Sequence, residues 1–162
     1  MNLKDYIRSI QDYPKKGILF RDITTLIKNK DAFEETINQI VERSKIFKID
    51  KIAAIESRGF VFASAVAYIL KKPFILLRKK NKLPADVHSV DFQLEYGKAT
   101  IEVHKDSFDE NDSVLIIDDL IATGGTAEAA AKLIEISKSN VAGFIFVINL
   151  FDLGGCKNLE EK

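Results

Sequence analysis

Residues 114–127 hold the densest chemistry in the chain. Four apolar residues (114–117) lead directly into Asp118 and Asp119, then through Leu120-Ile121-Ala122 to Thr123-Gly124-Gly125-Thr126. The apolar run reads as a buried strand, the small residues as a turn, and a helix is predicted to begin near Thr126. Gly124 and Gly125 let the backbone approach a ligand and adopt positive φ. Free N–H groups at the helix start then point at an anion, assisted by the helix dipole, with Thr123 and Thr126 as hydroxyl donors. The two carboxylates can accept hydrogen bonds from vicinal hydroxyls of a sugar lying over the strand end, or hold Mg²⁺ as a pair. The bland alternative is a tight strand-to-helix turn capped by acids. It would win for an isolated T-G-G, but two acids on an apolar strand directly ahead of the turn weigh against it. No G-x-x-x-x-G-K-[ST] loop is present, and no G-x-G-x-x-G follows a strand, so neither a P-loop nor a dinucleotide site is expected.

The elements around this run read as an alternation. Strands are expected at 51–55, 73–77, 114–117 and 141–150, with helices at 59–70 and 127–137 between them. Short continuous apolar runs separated by helices predict a parallel sheet covered on both faces, and in such sheets ligands bind beyond the carboxyl ends of the strands. Ahead of this, Leu3, Tyr6, Ile7 and Ile10 recur at helical spacing and predict a short N-terminal helix, broken by the loop 13–17. Asp31 is expected to cap a helix carrying the stripe Phe33, Ile37, Ile40 and Val41. The segment 79–97 has weak periodicity, one proline and many polar residues, and reads either as a mobile active-site lid or as a surface excursion.

The chain has 162 residues, the size of one domain, with 24 basic and 24 acidic side chains. Zero net charge argues against a nucleic-acid or membrane-surface binder, which carries a basic excess. No apolar run approaches the ~20 residues that span a bilayer. The single cysteine, Cys156, reads as a spectator thiol, and 1–6 has no apolar signal region, so a cytoplasmic protein is expected.

The run 114–126 closely resembles the phosphoribosyl pyrophosphate (PRPP) signature of the type I phosphoribosyltransferases. Four further segments are similar to the adenine-using branch of that family: Tyr13-Pro14-Lys15-Lys16-Gly17-Ile18-Leu19-Phe20-Arg21-Asp22-Ile23, Glu56-Ser57-Arg58-Gly59-Phe60, Arg78-Lys79-Lys80-Asn81-Lys82-Leu83-Pro84 and Leu94-Glu95-Tyr96-Gly97. The match runs in order from about Tyr6 to Leu153. It implies a single α/β domain over 1–162, a parallel sheet flanked by helices, with an N-terminal hood at about 1–30 and a flexible catalytic loop and hairpin at about 79–104. It implies transfer of the phosphoribosyl group of PRPP to adenine, giving AMP and diphosphate in purine salvage.

The resemblance also implies roles. Ala122, Thr123, Gly124, Gly125 and Thr126 would wrap the 5′-phosphate, and Asp118 and Asp119 would hold the ribose hydroxyls. Ser57, Arg58, Arg78, Lys79, Lys82 and Tyr96 would meet the pyrophosphate, with a non-proline cis peptide expected between Glu56 and Ser57 or at the next bond. Leu19, Phe20, Arg21 and Leu120 would surround adenine, with Arg21-Asp22 as a local ion pair. Glu95 would be the catalytic carboxylate. Mg²⁺ is expected to arrive on PRPP or diphosphate with no direct protein ligand, and a homodimer is expected. In the same positions Lys16 stands where a proline is usual, Asn81 where a glycine is usual, and the chain ends early relative to the family, ahead of a further strand and tail. The competing readings are a phosphoribosyltransferase for another purine base and a PRPP-binding regulator without catalysis; zero net charge and Glu95 favour an enzyme.

Overall fold

A computed structural model describes residues 1–94, 97–121 and 124–149, the side chain of residue 149 excepted. It separates into two compact units, Met1–Arg43 and Ser44–Lys162.

In the first unit a 3₁₀ turn, Leu3–Tyr6, leads into strand β1 (Arg8–Gln11), which pairs antiparallel with β2 (Leu19–Asp22), Ile10 opposite Phe20. The predicted helix through Ile10 is therefore corrected. Helical spacing over four apolar residues is a weak preference, and cross-strand pairing overrides it. Helices α1 (Thr24–Lys28) and α2 (Lys30–Ser44) follow. Asp31 lies inside α2 rather than capping it: the Asn29 side chain accepts from the Asp31 and Ala32 amides at 3.1 and 3.0 Å, which is the N-cap geometry. Ile37 and Ile40 of the expected stripe are buried.

The second unit holds a six-stranded sheet in the order β5-β6-β4-β3-β7-β8. Four strands, β4 (Phe74–Lys79), β3 (Lys51–Ile55), β7 (Ser113–Ile121) and β8 (Asn140–Asn149), run parallel. Helix α3 (Arg58–Leu70) connects β3 to β4, and α4 (Gly125–Ile136) connects β7 to β8. β3 and β7 are apolar at successive positions because both faces are covered. Ala53, Ile55, Val114 and Ile116 share a core with Ala129, Ala130, Leu133 and Ile134 of α4. The alternate residues Ile52, Ala54, Leu115 and Ile117 are equally buried, and α3 packs on β3 and β7.

Of the segment expected to be a lid or excursion, Val87–Leu94 forms β5, which pairs antiparallel with β6 (Gly97–His104) in the stretch 79–104 where the resemblance implied a loop and hairpin, and β6 adds antiparallel to β4. The sheet is thus mixed, with an all-parallel centre. Val90, Phe92 and Leu94 alternate with Ser89, Asp91 and Gln93, a period-two row that marks the strand.

Candidate active site

The carboxyl ends of β3, β4 and β7 open into a cleft of about 780 Å³. β7 supplies Asp118, Asp119 and Leu120; the start of α4 supplies Gly124, Gly125 and Thr126. The β3–α3 junction supplies Glu56, Ser57 and Arg58, and the exit of β4 supplies Lys79, Lys80 and Lys82. Phe92 and Leu94 of β5 with Ala99 of β6 add an apolar wall.

Each group is placed by a local reason. Gly124 is the N-cap of α4 with φ +92°, left-handed backbone that a side chain would strain. Having no side chain, it offers no capping acceptor, so the first turn of α4 keeps donors for an anion. The peptide between Glu56 and Ser57 is cis, one of the two bonds at which this was expected. Gly59, in the first turn of α3, lets that helix lie against β7: a Cβ there would stand 2.8 Å from Asp118 Oδ1 and 3.3 Å from the Ile117 carbonyl oxygen.

The acids are differently held. Asp119 is buried and accepts an ion pair from Arg58 Nε at 2.9 Å. Asp118 is half-buried, and its Oδ1 accepts the Asp119 amide at 2.8 Å. Burial, then repulsion from Asp119, pushes the Asp118 carboxyl up to about 8, against the opposing pull of that amide and of Arg58.

Of the expected anion contacts, Ser57, Arg58, Lys79 and Lys82 come together on this cleft. Arg78 does not line it: its Nε is buried and lies 3.4 Å from Glu56 Oε1, an ion pair without hydrogen-bond geometry. The same Glu56 oxygen accepts the Lys79 amide at 2.6 Å. Asn81 adopts φ +67°, the left-handed backbone that asparagine tolerates in place of glycine. Ala122, Thr123, Glu95 and Tyr96 lie outside the described residues. Leu120 lines the cleft, whereas Leu19, Phe20 and Arg21 belong to β2 of the first unit. There Phe20 meets the Tyr13 ring edge-on at 5.1 Å. The expected Arg21–Asp22 pair is corrected: Arg21 Nη1 donates to Ser9 Oγ at 2.6 Å, while Asp22 pairs with Arg8. Residues adjacent in a strand point to opposite faces, so Asp22 takes Arg8, its cross-strand neighbour. Bonds from the Thr24 hydroxyl, from Arg8 and from the Thr24 amide hold the Asp22 carboxyl down at about 2.

Sequence reasoning missed Glu56 and Lys80 as cleft residues, and missed Glu102, a buried carboxylate of β6 bonded to the segment that follows β4. For Glu102 a signal existed: a lone acid between the apolar Ile101 and Val103 needs a partner if the strand is buried.

A strand-end diacid facing an uncapped helix start, with a basic run two strands away at the end of β4, suits an activated sugar phosphate, and the comparisons with known proteins agree. The family model described as phosphoribosyl transferase domain matches residues 22–157. The adenine phosphoribosyltransferase of Pelagibacter ubique is 81% identical over 162 residues, 100% of this chain and 93% of that protein. The crystal structure of adenine phosphoribosyltransferase from Thermoanaerobacter pseudethanolicus matches with a TM-score of 0.94 at 45% identity, over 98% of this chain and 92% of that one. The Saccharomyces cerevisiae adenine phosphoribosyltransferase, complexed with D-2,5-dideoxy-2,5-imino-altritol 1,6-bisphosphate and adenine, matches at 0.90 and 34% identity, over 96% of this chain and 90% of that one. With identity this high along the whole length and the site's parts assembled on one cleft, the chain belongs to the phosphoribosyltransferase family, among its adenine phosphoribosyltransferases.

Proposed function

We propose that the chain transfers the phosphoribosyl group of PRPP to adenine, forming AMP and diphosphate. The observation that carries this reading is the single cleft on which Asp118 and Asp119, the Gly124–Thr126 helix start, the Ser57–Arg58 junction and the lysines after β4 converge. The 5′-phosphate lies at the start of α4, where amides meet an anion at no cost in reorganisation. The ribose hydroxyls donate to the β7 carboxylates. Pyrophosphate sits between the β3–α3 junction and the lysines. A ring nitrogen of adenine attacks the anomeric carbon while the carbon–oxygen bond to pyrophosphate breaks, and the bonding electrons leave with pyrophosphate. Cationic side chains stabilise that developing charge more than the ground state.

Leu120, on the cleft, meets the face of adenine. Glu95 takes or steers the base proton, and Tyr96 meets the leaving group as the loop that carries them closes, excluding water from the activated sugar. Mg²⁺ enters as part of the PRPP substrate, where it neutralises charge on the diphosphate. Asp119 is committed to Arg58. A homodimer is the assembly that the resemblance to this family implies. A cytoplasmic location is supported by the lone cysteine and by substrates of intracellular metabolism.

The deciding experiment mixes the purified protein with Mg²⁺, PRPP and each nucleobase in turn and identifies the nucleotide formed. AMP from adenine, with hypoxanthine and guanine poor, is expected. IMP or GMP as the main product points to another base, and PRPP binding with no product points to a regulator. Glu95→Gln is expected to lower kcat with adenine by about 10²-fold or more, with PRPP binding retained; unchanged turnover removes Glu95 from the mechanism.

A further inference from the structure

Two carboxylates stand where an anion site should least tolerate them. Glu56 directly follows β3, and Glu102 lies in β6 opposite Arg78, so they flank the end of β4 from its two neighbouring strands. A negative charge beside a site for a polyanion repels the ligand unless it is spent on something else. Both are spent on the same short segment. Glu56 Oε1 accepts the Lys79 amide at 2.6 Å, and Glu102 Oε1 accepts the Asn81 amide at 2.9 Å. The second Glu102 oxygen accepts Ser89 Oγ at 2.5 Å, which anchors the carboxylate to β5. Bonds from Ser89 and from the Asn81 amide, against the cost of burial, hold Glu102 below the usual carboxylate range, with Lys80 assisting. Asn81 is the residue in left-handed backbone, so the chain turns where the second carboxylate grips it. Lys79, Lys80 and Lys82, which surround that turn, line the cleft.

We propose that Glu56 and Glu102 are positioning residues: together they clamp the backbone of 79–81 and so preset the lysines for pyrophosphate. This rests on the phosphoribosyl-transfer reading above. The clamp acts through the lysines, so it belongs to one substrate only. Lysine side chains are long and entropically costly to fix, and a backbone set in advance removes part of that cost on binding. A carboxylate that merely held the fold together would change stability without discriminating between substrates.

The test uses the full chain and three readouts: steady-state kinetics varying PRPP and adenine separately, calorimetric binding of Mg²⁺-pyrophosphate, and amide hydrogen exchange across 78–82. For Glu102→Ala, the KM for PRPP and the Kd for pyrophosphate are expected to rise about tenfold, with kcat and the adenine KM within about twofold, and exchange across 78–82 to accelerate. Glu102→Gln keeps an acceptor for Asn81 and an amide that can donate to Ser89 Oγ, so it should restore most of the affinity and protection. Should Glu102→Ala not fold, Ser89→Ala, which releases the second oxygen of the same carboxylate, is expected to give a smaller rise in the same two constants and faster exchange across 78–82. The clamp is overturned if the wild type binds pyrophosphate and the folded variants bind it as tightly, if the adenine KM rises in parallel, or if exchange across 78–82 is unchanged. A wild type that binds neither PRPP nor pyrophosphate instead removes the transferase reading, and the exchange data then judge the clamp by themselves.

Discussion

Asp118 and Asp119 are neighbours in sequence with different surroundings. Asp119 is buried against Arg58, while the Asp118 carboxyl is raised to about 8 by burial and by its neighbour's charge. In the unfolded chain Asp118 has the ordinary value, near 3.8. Between those values the folded protein holds a proton that the unfolded chain has released, so this group's contribution to stability falls as pH rises from about 4 to about 8. Asp118→Asn removes the titration. The variant should lose much of the decline in Tm between pH 5 and pH 8 and should be relatively more stable at pH 8, at the expense of a raised KM for PRPP. Melting curves across that range in the two proteins check it; identical slopes would mean the shift is misassigned. The two acids, the glycine pair and the basic run were legible in the sequence because each sits in a short contiguous motif. Glu102 and the Arg58–Asp119 and Glu56–Lys79 contacts were not, because each joins residues far apart in the chain through a register that only the folded sheet defines.

At the scale of elements, the continuous apolar runs of β3 and β7 and the helices after them were readable, since burial on both faces leaves an unambiguous pattern. The ends were less so: β7 extends through both acids to Ile121 because β8 pairs with it that far. The N-terminal strand and the hairpin β5–β6 carry weaker patterns that pairing partners decide. One junction controls the site's shape. The first turn of α3 touches β7 at Gly59, where a Cβ would meet Asp118 Oδ1 at 2.8 Å and backbone atoms at 3.3 and 3.4 Å. Gly59→Ala gains up to about 1 kcal/mol of helix propensity. Overpacking costs about 1–3 kcal/mol, and the backbone of β7 cannot turn aside as a long side chain could. A net loss of stability is expected, together with weaker PRPP binding as Asp118 is displaced. Denaturant unfolding and the KM for PRPP are the measurements, and a variant more stable than wild type with normal affinity would refute the close-approach account.

At the scale of the whole molecule, the fold class was legible from the alternation of elements, while the mixed character of the sheet rests on the β5–β6 hairpin, which the resemblance implied at about 79–104 and the polar composition of 79–97 did not show. The consequence of the strand order lies in length. β3 stands between β4 and β7, and neighbouring strands are about 4.8 Å apart. The lysine-bearing end and the diacid-bearing end are therefore two steps, about 10 Å, from each other, with the Ser57 junction midway. Hydrogen bonding between backbones fixes that interval, and no side-chain change can reset it. The sheet thus works as a caliper, closed to one span. A PRPP analogue with one extra methylene between the ring and the diphosphate is expected to bind about 10–10²-fold more weakly, although its charge and donors are unchanged. Competition between the two compounds measures it. Equal binding of both would show that the jaws give, and that selection in this enzyme is by charge rather than by length.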